Sequence, residues 1–419
     1  VAGTYPRRAL FLCPDADRTP TGRSARKVAA CQNELRAGPR GMCRLIRSAG
    51  PAPGHVLSPT EGLLLSGGPQ GLFAVDIETG SVRYAVAMDA VGSRVLPESA
   101  AWADGAARIV ATEDFFRRML DPDLHVIDLA TGTALNLTED GESSISFSSR
   151  ETPPLDLTPL FAGGGSLYQN TQRSDWGYRS RILFRPDANA VGETPGEPRA
   201  AATDVEPPVV FGEIPWALPS VVDLFYSPAD GSVYLNSIGR GKEEPETGVF
   251  RLSPGGTPER ILPGQTGAGF PLIVDISLDG RYLLITYPQQ QLEAVYGSDD
   301  APPAFELFDV TERRQVPFAG PGSAIDGSRV HNAAFSPDGR SVVFVGGATA
   351  AHGPEALVAL RDVEGGPELV VYESEDSSLG LRSPRSFGQN GIGWDTSDRV
   401  FVSASTRNEA LIIQLRREP

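Results

Sequence analysis

The segment Ala334-Phe335-Ser336-Pro337-Asp338-Gly339-Arg340-Ser341-Val342-Val343-Phe344-Val345 decides the fold. It contains an apolar run, a tight turn and a second apolar run. In the turn, Pro337 presets its own φ, Asp338 can accept hydrogen bonds from nearby backbone N–H groups, and Gly339 can adopt a positive φ. The pattern predicts two short antiparallel strands joined by a turn.

The same turn pattern recurs along the chain. The aligned units lie at residues 57–62, 102–105, 161–164, 226–231, 276–280, 335–339 and 394–398. Their spacing is that of one four-stranded blade each, with connections of varying length. We therefore predict an all-β propeller of seven four-stranded blades. The first, third and seventh units depart most from the pattern, which leaves six or eight blades open.

A second motif follows the second strand of some units. Residues 76–80 and 128–132 share Asp-x-x-Thr-Gly, and residues 309–311 are a degenerate copy. The two motifs together resemble the WD40-like (PD40) repeats of TolB-type bacterial propellers, over about residues 52–419. The Asp-x-x-Thr-Gly turns also resemble those of many bacterial propellers, including quinone-binding ones. The resemblance implies the fold and does not select one activity.

The two ends of the chain are predicted to meet. The last unit contains three predicted strands, and Arg8-Ala9-Leu10-Phe11-Leu12 is an apolar strand without a blade of its own. We predict that residues 1–13 form a strand that completes the last blade and closes the ring, because closure removes an exposed edge. The propeller itself is predicted over residues 51–419. Residues 14–50 are expected to form a short helical, cysteine-containing excursion, with a helix over 24–35.

The three cysteines lie in the first tenth of the chain, at Cys13, Cys31 and Cys43. They suit either three buried thiols or one disulfide with one cysteine left over in an extracytoplasmic protein. We favour a disulfide, with Cys31 and Cys43 as the candidates. Because the chain begins at Val1, either a signal peptide has been removed or the chain has been trimmed. We expect a periplasmic or secreted protein.

The charge of the chain limits its partners. The net charge is −16, which argues against binding nucleic acid or an anionic membrane through a broad surface. No apolar run is long enough to span a membrane, so we expect no direct membrane insertion. The acidic balance permits cationic partners and metal ions.

One mouth of the central channel is a candidate ligand site. The innermost strand of each blade begins at that mouth, so the residues four and five positions before the Ser of each turn unit are predicted to converge there. The polar members of this set are Glu98, Asp223, His331, Asn332 and Asn390. Such a ring could hold a divalent cation, with Ca²⁺ as the candidate, or orient a polar ligand. The alternative is a water-filled channel that binds nothing specific. No other cofactor is predicted.

Three segments with aromatic and Arg residues are predicted to extend loops beyond the turns that a propeller needs. They contain Phe115, Phe116 and Arg117; Trp176 and Tyr178; and Tyr296. Loops of this composition on a rigid scaffold are typical contact surfaces. We expect them to bind another protein. The alternative is that they pack back on the blades.

The sequence carries no assembled catalytic signature. It has no Gly-x-Ser-x-Gly, no Walker A sequence and no Gly-x-Gly-x-x-Gly that opens a βαβ unit. Whether the protein is an enzyme stays open, and we lean against it. We predict a non-catalytic, extracytoplasmic propeller that serves as a protein-binding or scaffold subunit through its loops. The alternative is a metal-assisted hydrolase, such as a lactonase, or a quinone- or ligand-binding propeller that uses the channel mouth.

Overall fold

The computed structural model describes the chain at residues 11–12, 41–49, 55–57, 62–68, 71–76, 79, 81–87, 100–102, 107–112, 124–138, 155–162, 165–174, 177–186, 208–214, 221–237, 247–264, 271–287, 305–316, 325–348, 356–365, 368–374, 380–381, 392–394, 399–405 and 409–417. Every regular element in these residues is a β-strand. Neighbouring strands in each sheet run antiparallel.

The chain begins with two strands and then forms the first three blades. The two strands are β1 (Phe11–Leu12) and β2 (Gly41–Ala49). Blade 1 contains β3 (His55–Leu57), β4 (Leu63–Gly68), β5 (Gly71–Asp76) and β6 (Val82–Ala87). Blade 2 contains β7 (Ala101–Trp102), β8 (Arg108–Thr112), β9 (Leu124–Asp128) and β10 (Thr133–Asn136). Blade 3 contains β11 (Leu155–Ala162), β12 (Gly165–Ser174), β13 (Gly177–Pro186) and β14 (Val209–Ile214).

The next three blades follow the same order. Blade 4 contains β15 (Val221–Ser227), β16 (Ser232–Ser237), β17 (Gly248–Leu252) and β18 (Glu259–Pro263). Blade 5 contains β19 (Leu272–Ile276), β20 (Tyr282–Thr286), β21 (Phe305–Asp309) and β22 (Arg314–Val316). Blade 6 contains β23 (Ile325–Phe335), β24 (Ser341–Ala348), β25 (Ala356–Asp362) and β26 (Leu369–Ser374). In each blade, strands that are adjacent along the chain are also adjacent in the sheet.

The last sheet, which we call the closing sheet, combines both ends of the chain. Its C-terminal strands are β27 (Gly380–Leu381), β28 (Ile392–Trp394), β29 (Arg399–Ser405) and β30 (Glu409–Arg417). The sheet runs in the order β1-β2-β30-β29-β27, and β28 also pairs with β29, so it has six strands. The first and last parts of the chain therefore share one hydrogen-bonded ladder.

The middle strands of the blades bury side chains on both faces. In β20, Leu283 and Ile285 pack with blade 4, whereas Leu284 packs with blade 6. In β24, Val343 packs with the closing sheet and Phe344 with blade 5. Successive side chains of a strand point to opposite faces, so an uninterrupted apolar run needs a neighbour on each side. This explains why the apolar runs of the repeat are continuous rather than alternating.

Buried apolar clusters join consecutive sheets around the ring. In the described residues such clusters join blades 1 and 2, 2 and 3, 3 and 4, 4 and 5, and 5 and 6, and blade 6 with the closing sheet. The first strands of successive sheets also contact one another, from β7 through β11, β15, β19 and β23 to β28. First strands on the inside and packed sheets around them are the architecture of a β-propeller.

The structure confirms an all-β propeller and corrects the expected number of blades. The prediction of seven four-stranded blades is wrong, because six sheets have four strands each and the remaining sheet has six. The difference comes from the chain ends, since β1 and β2 add to a sheet that the C-terminal strands have already begun.

The strand that closes the ring is also different from the predicted one. The ladder partner of β30 is β2, which pairs with it along its whole length, from Gly41 with Arg417 to Ala49 with Glu409. Of the predicted closing strand, the described residues are those of β1, which pairs with β2 and not with β30. Residues 41–49 thus form a strand within the segment that we expected to be a helical excursion. The predicted helix over 24–35 lies outside the described residues.

Glycine is required where the fourth strand approaches the start of the third. Gly71 begins β5 with a φ of 136°, and Gly248 begins β17 with a φ of 143°. A Cβ at these positions would collide with the carbonyl oxygen of Val86 or of Leu262, respectively. Only Gly combines this φ with so close a backbone neighbour.

Candidate functional site

The two ends of the blades differ in the connections that they carry. At one end, which we call the turn end, the first strand joins the second and the third joins the fourth. At the other end, the loop end, the second strand joins the third and each sheet joins the next. Antiparallel order alone assigns every connection to one of these ends. A candidate binding face can therefore be located from the strand bounds.

Ser and Asp side chains hold the turns between first and second strands. In blade 6, Ser336 Oγ donates to Asp338 Oδ1 over 2.6 Å and accepts from the Ser341 backbone N–H over 2.9 Å. In blade 5, Ser277, Asp279 and Tyr282 repeat these two bonds. The hydrogen bond from Ser336 holds the pKa of Asp338 below its usual value. The hydrogen-bonding role that the sequence assigned to this Asp is confirmed.

A second carboxylate closes the turn between third and fourth strands. Asp309 is fully buried and accepts hydrogen bonds from the backbone N–H groups of Thr311 and Glu312, each over 2.9 Å. Arg281, from the first turn of the same blade, donates to the other oxygen of Asp309 over 3.1 Å. Although burial alone would raise the pKa of Asp309, these partners hold it below its usual value. The turn end of blade 5 is thus locked by its own side chains.

The loop end carries long connections. Those between second and third strands that exceed a tight turn span residues 113–123, 238–247, 287–304 and 349–355. Those from one sheet to the next span residues 88–100, 137–154, 215–220, 264–271, 317–324 and 375–379. The turn end has two long connections, residues 187–208 between β13 and β14 and residues 13–40 between β1 and β2. Ten of these twelve long connections therefore belong to the loop end.

The predicted contact segments all belong to the loop end. Phe115, Phe116 and Arg117 lie in the connection between β8 and β9, and Tyr296 lies in that between β20 and β21. These four residues, like Trp176, are outside the described residues.

One predicted contact residue, Tyr178, lies in a strand. Tyr178 belongs to strand β13 and pairs with Arg173 of β12. Two residues, 175 and 176, separate the paired Ser174 and Gly177. Strands β12 and β13 thus extend to within two residues of each other, which the sequence analysis did not identify.

Two of the predicted channel-mouth residues lie at irregularities of the innermost strands. In β15 the register shifts between Val221 and Leu224, and Asp223 lies within this shift. In β23 the register shifts between Val330 and Asn332, and His331 lies between them. A bulge leaves its extra residue out of the ladder and is common beside functional sites. Strand β19 of blade 5 lies between β15 and β23 around the ring. Glu98 and Asn390 are outside the described residues.

The innermost strands are bonded to neighbouring sheets by buried side chains that the sequence analysis did not identify. Asn236 of blade 4 accepts a hydrogen bond from the Ile273 backbone N–H of blade 5, over 2.8 Å. Asp275 of blade 5 accepts one from the Phe335 backbone N–H of blade 6, over 2.8 Å. These bonds satisfy N–H groups of edge strands that the ladder leaves free. For Asp275, the sequence signal was a single polar residue within an apolar strand.

The same arrangement continues into the closing sheet. Trp394 Nε1 of β28 donates to the Ala334 carbonyl oxygen of blade 6 over 3.3 Å. Four consecutive sheets are thereby joined by hydrogen bonds in addition to their apolar clusters.

Asp275 lies in β19, the innermost strand of blade 5. Burial is the main influence on this group and raises its pKa to about 6. Two backbone N–H groups, of Phe335 and Ile276, oppose this change because they stabilise the charged form. The group therefore changes its charge within a pH range in which the protein is expected to stay folded.

Metal-binding and disulfide predictions receive no support from the described residues. No group of three or more His, Cys, Asp or Glu side chains is placed there to hold a metal ion. Cys43 lies in β2, whereas Cys13 and Cys31 are outside the described residues, so the pairing of Cys31 with Cys43 stays a prediction. No helix in the described part of the chain is long and apolar enough to cross a membrane.

The chain was compared with known families and structures. No family model and no curated protein match it. The chain is similar to the β-propeller domain of the Trilobed protease from Pyrococcus furiosus, with 11% identity, a TM-score of 0.49 and coverage of 87% of this chain and 96% of that one. It is also similar to TolB from Acinetobacter baumannii, with 13% identity, a TM-score of 0.38 and coverage of 84% of this chain and 80% of that one. For the Pyrococcus horikoshii acylaminoacyl peptidase the identity is 11% and the TM-score is 0.46, with coverage of 91% of this chain and 51% of that one.

The chain is a β-propeller. TolB is among the propellers to which it is similar, as the repeat predicted, while the repeat family itself has no matching model. At these identities the likeness concerns the fold. Any statement about function has to come from the residues of this chain.

We predict that Asp275 makes the stability of this propeller fall as the pH rises from about 4 to about 6. In that range the folded protein keeps the proton on Asp275, whereas the unfolded chain, with a pKa of about 3.9, releases it. The free energy of unfolding therefore falls as the pH rises, because the folded state binds more protons than the unfolded state. In Asp275→Asn this contribution is absent, so the unfolding free energy of the wild type should fall relative to that of the variant by about 2 kcal/mol between pH 4 and pH 6.

Urea unfolding of both proteins at several pH values between 4 and 7 measures this difference. The matched control is Asp309→Asn, because the pKa of Asp309 is lowered and its contribution disappears only below the same pH range. The difference between wild type and this control should therefore be constant from pH 4 to 6. A constant difference for Asp275→Asn as well would contradict the assignment.

Proposed function

We propose that this propeller is a non-catalytic binding or scaffold subunit that presents its loop end to another protein. The observation that supports this most is the unequal distribution of the connections between the two ends. The turn end of blades 5 and 6 is closed by hydrogen-bonded turns such as those at Ser277 and Ser336. Most long connections leave the loop end. A contact surface on a rigid frame has this organisation.

The frame itself is well suited to hold loops in fixed positions. Every pair of consecutive sheets from blade 1 to the closing sheet shares a buried cluster. The hydrogen bonds that Asn236 and Asp275 accept add directional contacts to the innermost strand of the next blade. A loop whose two ends are attached to such strands loses less entropy on binding than a loop on a mobile frame.

The proposal predicts that a bound partner can be crosslinked from the loop end and not from the turn end. A photoreactive phenylalanine analogue is placed singly at Phe115, at Tyr296 or at Leu278. The first two positions lie in loop-end connections, and Leu278 lies in a first turn with 62% of its surface exposed. Protein purified from its own cells should give the same crosslinked partner from positions 115 and 296. Leu278 is the matched control and should give none.

Two results would contradict the proposal. Crosslinking of the same partner from Leu278 with equal yield would show that the loop end is not the contact surface. A protein that native mass spectrometry finds to be free of any second chain, and that gives no crosslink from any position, would argue against a scaffold role.

An extracytoplasmic location, periplasmic or secreted, belongs to the same proposal. Its support is the clustering of all three cysteines near the start of the chain, where one disulfide would join Cys31 to Cys43. Titration of the unreduced, denatured protein with a thiol reagent should then find one free thiol, and three after reduction. Three free thiols before reduction would contradict the disulfide.

The channel mouth supports a second candidate function, in which a ligand or divalent cation binds between the innermost strands. The observation in its favour is that Asp223 and His331 coincide with register shifts in β15 and β23. Bulged positions can direct side chains out of the regular ladder. A carboxylate, an imidazole and the amide of Asn332 would suit a metal-assisted hydrolase or the orientation of a polar ligand such as a quinone.

This second candidate predicts that the protein retains a stoichiometric divalent metal ion when it is purified without a chelator. Elemental analysis should find Ca²⁺ or a transition metal in the wild type and at least a tenfold lower content in Asp223→Ala and in His331→Ala. Asp279→Ala at the turn end is the control and should keep its metal. A wild type without bound metal would rule out the metal-assisted hydrolase.

A further inference from the structure

Strand β21 carries a carboxyl group near each of its ends, and only one of the two has a positive neighbour. Asp309, at the turn end, has the guanidinium group of Arg281 at 3.0 Å. Glu306 is the second residue of β21 from the loop end. Among the residues that the structure describes, no Arg or Lys lies within ion-pair distance of Glu306. The two carboxyl groups of one strand therefore differ in their counter-charge.

Glu306 lies on the face of blade 5 that packs against blade 4. Side chains alternate along a strand, and Phe308, two residues further on, belongs to the cluster shared with blade 4, whereas Leu307 packs with blade 6. The side chain of Glu306 is partly exposed. This carboxyl group thus lies where the interface between blades 4 and 5 reaches the loop end.

Two neutral side chains fix the orientation of this carboxyl group. The hydroxyl of the buried Tyr287 donates to Glu306 Oε2 over 3.2 Å, and Gln315 Nε2 donates to the same oxygen over 2.6 Å. Tyr287 follows β20 and Gln315 lies in β22, so the strands on both sides of β21 contribute. Oε1 accepts no hydrogen bond from the described part of the chain and is not a buried atom. One oxygen is therefore held in place while the other is open to solvent.

The surroundings of Glu306 favour its neutral form. Burial raises the pKa of this group, and the hydrogen bonds from Tyr287 and Gln315 oppose only part of that change. At Asp309, backbone N–H groups and Arg281 outweigh burial and hold the pKa below its usual value. A positive charge brought to Glu306 from another molecule would stabilise its ionised form in the same way.

The open oxygen suits an ammonium group better than a guanidinium group. A guanidinium binds a carboxylate most strongly through two parallel hydrogen bonds, one to each oxygen. Because Oε2 of Glu306 already accepts two hydrogen bonds, only a contact to Oε1 remains. An ammonium group is a compact charge that makes such a single contact. The net charge of −16 also attracts a basic segment to this protein.

We propose that Glu306 receives the ammonium group of a lysine side chain from a basic segment of the partner protein. The ammonium group donates to Oε1, while Tyr287 and Gln315 hold the carboxylate in position. A carboxylate that is already ordered loses little side-chain entropy when it binds. The inference rests on the proposed scaffold function and names the chemistry of the partner.

Titration of the full chain with a labelled peptide tests this proposal. The probe is rhodamine-labelled Gly-Lys-Gly-Lys-Gly-Lys-Gly, and two matched peptides carry Arg or Gln in place of every Lys. Measurement at about 150 mM salt screens contacts between dispersed surface charges. Fluorescence anisotropy should detect saturable binding of the Lys peptide, no tighter binding of the Arg peptide and no binding of the Gln peptide.

The variant Glu306→Gln should weaken binding of the Lys peptide at least tenfold, because a hydrogen bond to a charged group is replaced by one to a neutral group. The variant keeps an oxygen that can accept from Tyr287 and Gln315, so its thermal midpoint should not fall below that of the wild type. The matched control is Glu213→Gln, which removes the same charge from an exposed residue near the loop end of β14. The control should bind within about twofold of the wild type, since exposed ion pairs contribute little.

Three results would overturn the inference. One is the absence of wild-type binding of the Lys peptide at concentrations up to about 1 mM. Another is equal weakening by Glu213→Gln, which would show a general charge effect. The third is tighter binding of the Arg peptide, or binding of the Gln peptide. Crosslinking from Phe115 and Tyr296 uses no peptide and tests the scaffold function separately, so the failure of one can be distinguished from the failure of the other.

Discussion

Each blade of this protein has two apolar faces, and neither can be buried within the blade itself. Leu283 and Leu284 are adjacent in one strand and yet belong to the cores of two different interfaces. A sheet of this kind is stable only between two other sheets, so the blades have to follow one another around a ring. Association of the first and last parts of the chain in the closing sheet follows from the same requirement, because an uncovered last face would expose apolar surface.

This requirement leaves the ends of the blades free for other purposes, and the two ends are used differently. At the turn end, short turns are stabilised by Ser and Asp side chains and by the ion pair between Arg281 and Asp309. At the loop end, the connections are long and variable. Structural stability and the proposed contacts are thus separated in space.

Polar side chains near the innermost strands form hydrogen bonds between neighbouring blades. Asn236 and Asp275 bond to backbone N–H groups of the next sheet, so each supports a neighbouring innermost strand. The location of Asp275 makes the stability of the protein depend on pH, since burial raises the pKa of this group to about 6. Asp309 also is buried, but it has an Arg partner and its pKa is lowered. The difference between the two carboxyl groups lies in the presence of a nearby positive charge.

The sequence by itself determined the strands, the turns and the propeller architecture, because a turn such as Ser336–Gly339 and its flanking apolar runs are local features with local causes. It also located the positions of Asp223 and His331 relative to their turns. Tertiary structure alone decided that β2 rather than residues 8–12 pairs with β30 and that Asp275 bonds to the next blade. The physical reason is that strand pairing between distant segments depends on register and competing edges, which no local pattern records.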